Sequence, residues 1–171
     1  MSLLSALLAL AAGGDDLLIA DFEGRDYGAW KITGRAFGLE PARGTLPNQM
    51  HVEGYLGKGL VNTYFEGDGS TGTLTSTPFA VERPFINFLI GGGRHPGETC
   101  INLLVDGKPV RTATGEESER LEWKSWDVTE FAGKQATLEI VDRHKGGWGH
   151  VNVDQIVQSG KSLKAGPVSR E

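Results

Sequence analysis

Cys100-Ile101-Asn102-Leu103-Leu104-Val105-Asp106-Gly107-Lys108-Pro109-Val110-Arg111-Thr112 decides the fold class. An Asp-Gly pair between two β-prone runs predicts a two-residue hairpin of type I′, because both central residues must take positive φ and these two tolerate it. Pro109 has no amide to donate, so the second arm is assigned to a sheet edge. Upstream, Phe85–Ile90 is apolar on both faces, the mark of a central strand. Downstream, Ala136, Leu138 and Ile140 share one face of another strand, and Val151–Val157 closes the pattern. Further strands are expected at Leu17–Phe22, Trp30–Ile32, Met50–Val52, Leu60–Phe65, Thr73–Thr75 and Ser125–Val128, with one helical turn within Thr129–Lys134. About eight strands without a sustained helical period predict an all-β, mainly antiparallel sandwich of two sheets.

Composition agrees. The chain has 171 residues, 39% apolar and 23% charged, which fits one folded domain that needs no disulfide staples. Its 25 glycines are too many for a helix bundle, since each costs roughly 1 kcal/mol inside a helix. With 17 Lys and Arg against 22 Asp and Glu, the net charge is −5, and no basic run offers a nucleic-acid footprint.

Residues 1–14 differ from the rest. Leu3 to Ala12 is an apolar stretch too short to span a bilayer, and Ala9-Leu10-Ala11 supplies small residues where a signal peptidase cuts. This predicts a signal-peptide-like segment and a secreted or periplasmic protein; the competing reading is an apolar first helix packed on the domain. Residues 15–159 form the sandwich module. Residues 160–171 are polar and patternless, and read as a tail or linker. Cys100 lies in an apolar run and is expected to be a buried thiol.

No motif for a nucleophile elbow, a phosphate loop or a zinc protease is present. The four histidines are scattered, and a single cysteine argues against a structural zinc site. Asp21, Glu23 and Asp154 fall in the first and last strands and are candidate ligands for a structural calcium ion; otherwise Asp154 satisfies loop amides. Two glycine-rich loops, Gly91–Gly97 and Asp142–His150, carry aromatic and cationic side chains. Glycine permits close approach of a ligand, an indole between glycines can stack on a sugar ring, and His, Asn and Arg read hydroxyl groups. Trp148, His150, Asn152, His95, Asn102 and Arg111 are therefore the candidate carbohydrate contacts. Asn87, Asn102 and Arg111 are expected on the open face of one sheet. Trp30, Trp123 and Trp126 read as core or sheet-flanking residues.

The runs Ala20–Trp30, Gly44–Leu74, Phe85–Gly97, Ile101–Gly115 and Gly146–Ile156 together resemble the non-catalytic N-terminal β-sandwich of levanase-like enzymes in glycoside hydrolase family 32. The resemblance covers roughly Leu17 to Gln158 and implies a galactose-binding-like jelly roll. That family's catalytic propeller motifs, Asn-Asp-Pro, Arg-Asp-Pro and Glu-Cys, are absent from the chain. The expectation is a non-catalytic module for a polysaccharide or oligosaccharide of the β-fructan type, serving a family 32 catalytic domain. The alternative is a structural domain that supports such a propeller without binding sugar.

Overall fold

A computed structural model describes residues 14–164, so the signal-peptide-like segment lies almost wholly outside the described residues. Eleven strands form two antiparallel sheets: β1 (Leu17–Ala20), β2 (Lys31–Gly34), β3 (Val61–Asn62), β4 (Gly72–Thr75), β5 (Phe79–Ala80), β6 (Phe85–Gly92), β7 (Thr99–Val105), β8 (Lys108–Ala113), β9 (Ser118–Asp127), β10 (Gln135–Asp142) and β11 (Val151–Ser159). One sheet runs β1-β11-β6-β9, with β3 also on β11; the other runs β2-β4-β10-β7-β8, with β5 also on β10. The helical turn is a single 3-10 turn at Thr129–Phe131.

The hairpin forms as the sequence predicts. Val105 pairs with Lys108, and Asp106 and Gly107 take φ of 52° and 73°. Strand β8 is an edge, and the register slips beside Pro109. Elsewhere the boundaries move. The Met50–Val52 strand does not form, and Leu60–Phe65 contracts to two residues. The strand expected at Ser125 begins at Ser118, because Glu119, Arg120 and Glu122 hide an alternation in which Glu119 and Leu121 are buried and Arg120 and Glu122 are exposed.

The inner faces make the main core from Ile86, Phe88 and Ile90 of β6, Ile101 and Leu103 of β7, Leu138 and Ile140 of β10, and Val151 and Val153 of β11. Trp126 is buried there, while Trp30 packs at its margin. A second cluster sits on the outer face of the β6 sheet: Val52 and Leu60 of the long irregular segment pack on Leu89 and Leu121, with Tyr55 and Trp123 alongside. That segment also makes a parallel bridge between Glu53 and Arg120. Strand β6 is thus covered on both sides, which explains its continuous apolar run. Cys100 is buried and unpaired, and burial pushes its thiol pKa up.

Asn87 corrects two expectations. It lies in β6, in the opposite sheet from Asn102 and Arg111, so the three do not share a face. It is fully buried, donating to the Lys161 carbonyl at 2.8 Å and accepting from the Leu163 amide at 3.1 Å. The start of the expected tail is therefore strapped onto the sheet.

A side-chain carbon at Gly107 would meet nothing within 4 Å, so replacing it tests backbone conformation alone. Gly107→Val is expected to lower stability by about 1–2 kcal/mol, the cost of forcing an L-residue left-handed, in urea unfolding with an unchanged m-value.

Candidate functional site

Three loops and the start of β9 meet at one end of the β6 sheet and enclose a cleft of about 270 Å³. Asn48, Gln49, Met50, Tyr64, Asp68, Glu119, Gly147, Trp148 and His150 line it. Its organising group is His150, 3% exposed, whose Nδ1 lies 2.7 Å from Asp68 Oδ1 and whose Nε2 lies 2.6 Å from Glu119 Oε1. A neutral imidazole can donate from only one nitrogen, so two carboxylates at these distances select the imidazolium. Burial pulls the His150 pKa down, but the bonds and charges of Glu119 and Asp68 outweigh it and hold the value above the ordinary one.

The network continues outward. Asn152 Nδ2 donates to Glu119 Oε2 at 2.8 Å, reaching over β6 where its register partner is Gly91 and no side chain intervenes. Gln49 Nε2 donates to Glu119 Oε2 at 3.2 Å and to Asn62 Oδ1 at 3.1 Å, and Asn62 Nδ2 returns a bond to Gln49 Oε1 at 2.8 Å. Aromatic rings wall the imidazole. Tyr64 meets it edge-on with centroids 5.1 Å apart, and Trp148 lies nearly parallel at 5.6 Å and 22°. Trp148 is half-buried and has a φ of 59°, a left-handed conformation that costs a bulky residue of order 1–3 kcal/mol.

The six candidate contacts therefore separate. Trp148, His150 and Asn152 converge, although His150 and Asn152 are buried and act behind the cleft surface. His95 stands next door, with Nε2 3.0 Å from the Gly147 carbonyl. Asn102 and Arg111 are elsewhere, lining a separate hollow with Gly97, Pro109, Val110 and Thr112. Arg111 is engaged by Glu130, by the Asp127 carbonyl and by the Phe131 ring. The glycines also work differently than expected. A side-chain carbon on Gly93 would fall 2.0 Å from the Trp148 carbonyl, so glycine lets the two loops close on each other.

Sequence reasoning missed Glu119, Asp68, Gln49 and Tyr64. Asp68 reads as an ordinary turn residue between glycines, and Gln49 sits in a patternless loop. Glu119 alone left a signal, two residues before Leu121 on the same side of its strand.

Asp68 and Glu119 do not form a hydrolytic pair. Glycosidic cleavage needs two carboxylates with the scissile bond between them, and here an imidazole occupies that space.

Two deep carboxylates adjoin this region. Asp142, fully buried below His150, has no partner of acceptable hydrogen-bond geometry on either oxygen. Burial raises its pKa to about 7, against smaller opposing effects of Thr63, His150 and the His144 amide. Asp154 Oδ2 accepts from the Leu56 amide at 2.8 Å, whereas Oδ1 is buried without a partner. Burial, with Glu23 and Asp21 nearby, lifts its pKa to about 7 as well. The Glu23 carboxylate already accepts from the Lys58 and Gly59 amides, and Asp21 Oδ1 from the Glu23 amide. Of the calcium candidates, Asp154 thus carries the one buried oxygen left without a partner among the described residues.

No protein-family model matches the sequence. A putative glycosyl hydrolase, ecdE, of Aspergillus rugulosus is 46% identical over 145 residues, which are 83% of this chain and 21% of that protein. The chain thus spans about a fifth of the length of this curated relative. Among solved structures, a cyclase from Fischerella sp. TAU superposes with a TM-score of 0.51 at 15% identity, over 88% of this chain and 100% of that one. A family 35 carbohydrate-binding module from Clostridium thermocellum gives 0.44 at 12% identity, over 84% and 97% of the two chains. The cyclase likeness is one of fold alone.

The buried acids and His150 act in one direction with pH. Asp142 holds a proton when folded up to about pH 7 and releases it near 3.9 when unfolded, so its effect on stability worsens as the pH rises between those values. The His150 contribution is fully present below about 6.5 and is lost as the pH rises through its raised folded value. Urea unfolding at pH 5 and pH 8 should show the protein weaker at pH 8. Asp142→Asn should shrink that difference by raising stability at pH 8.

Proposed function

We propose that this module binds carbohydrate in the Trp148 cleft, as an accessory to a glycoside hydrolase of family 32 and with β-fructan as the ligand, outside the cytoplasm. The observation that carries the reading is the half-buried indole. It is held over a fixed imidazolium and stands beside the exposed amide of Asn48 and the half-buried side chains of Gln49 and Asp68. An apolar ring face next to a ring of hydrogen-bonding groups matches the two sides of a sugar. The high identity to part of a protein named as a putative glycosyl hydrolase supports the same reading.

A second reading rests on a different surface. A groove of about 700 Å³ along β9, lined by Pro96, Trp123, Trp126 and Lys164, suits docking of a neighbouring domain in a longer chain. In that case the module supports its host without holding sugar.

Isothermal titration with levan and inulin, beside xylan as a control, tests the first reading. Wild type should bind the fructans, and Trp148→Ala should weaken binding at least about tenfold, as loss of an aromatic anchor does. Equal heats for both proteins would overturn it.

We also propose calcium at Asp154 with Asp21 and Glu23, supported by the unpaired buried oxygen. Chelation by EDTA should then lower the melting temperature by several degrees and added calcium restore it. Asp154→Asn should remove the response.

A further inference from the structure

The fold unites two histidines that lie 49 positions apart in the sequence (144 − 95). The rings of His95, between β6 and β7, and His144, between β10 and β11, stack with centroids 3.5 Å apart and planes 14° from parallel. Glu98 Oε2 is 3.5 Å from His144 Nδ1. One nitrogen of each ring and one Glu98 oxygen all lie within 4.8 Å of one another.

The scaffold beneath them is tied by backbone bonds. The Glu98 and Thr99 amides both donate to the His95 carbonyl at 2.9 Å, and the His95 amide donates to Thr99 Oγ1 at 3.1 Å. Across the loops, the Arg143 amide donates to the Glu98 carbonyl at 2.7 Å. His95 Nε2 faces the Gly147 carbonyl, which can only accept, so the proton sits on Nε2 and the lone pair on Nδ1. Imidazoles that ligate metals are characteristically fixed in this way, with the second nitrogen donating to a carbonyl.

We propose that His95, Glu98 and His144 form a binding site for a divalent transition-metal ion, Zn²⁺ or Cu²⁺. Two imidazoles and one carboxylate favour these ions over Ca²⁺ and Mg²⁺, which prefer oxygen ligands throughout. Bonds of about 2.0–2.1 Å require the stacked rings to tip open, a side-chain rotation within two half-exposed loop residues. The exposed side leaves positions for water or for a ligand oxygen. Because His144 and Trp148 share a loop, an ion here clamps the wall of the cleft to the loop carrying His95.

The test uses protein without a polyhistidine tag. Titration calorimetry with ZnCl₂ should show one ion per chain at micromolar affinity, undisturbed by millimolar Ca²⁺. His95→Ala and His144→Ala should each weaken binding by about 10–100-fold, with unchanged circular dichroism. Electron paramagnetic resonance of the Cu²⁺-loaded protein should show two imidazole nitrogens. The double variant His95→Asn/His144→Asn retains His51 and His150 as an internal control. Wild type binding Zn²⁺ no more tightly than this variant, or a Cu²⁺ spectrum with fewer than two nitrogens, would overturn the assignment.

Discussion

Strand β6 is buried from both sides, and that constraint organises the molecule. Its Ile86, Phe88 and Ile90 face the opposite sheet, while Leu89 faces Val52, Leu60 and Leu121 on the outside. This second apolar cluster, together with the backbone bonds of Glu53 to Glu119 and Leu121, holds the long irregular segment down. Where it stops, at the Asn152–Gly91 level, polar side chains take over and the cleft begins.

The cleft is held by charge as much as by packing. His150 links Asp68 of the β3–β4 connection to Glu119 of β9, so one imidazolium joins a loop to the sheet. Removing either carboxylate leaves a buried cation short of its partner, which is far costlier than losing a surface ion pair. The strained Trp148 backbone stands on this platform and is carried between two glycines. A rigid base under a tensed aromatic residue keeps the ring in place.

The fold was largely legible from the chain. Asp106-Gly107, Pro109 and the apolar runs of β6, β10 and β11 each announce their own local geometry. Failures occurred where tertiary context overrides pattern. Glu119 and Glu122 made β9 look too polar at its start, and β5, only two residues long, carries no periodicity. The site was half legible. Trp148, His150 and Asn152 lie close together in sequence, and their chemistry shows there. Asp68 and Gln49 come from two separate connections, where nothing local tells a clamp from a turn, and Glu119 comes from the polar start of β9. Asn102 and Arg111 lie in the other sheet, away from the Trp148 cleft, because polar residues on strands do not show in the sequence which sheet they join.

The antiparallel pairing of Leu17 with Gln158 has an architectural consequence. The chain enters through β1 at one edge of the sheet, and after β11 it crosses β6 by way of Asn87 to place Lys164 in the groove along β9. The first and last segments of the described chain therefore stand at opposite edges of one sheet, although β1 and β11 are neighbours within it. The ladder closes one edge, and the strap over β6 carries the backbone away from it.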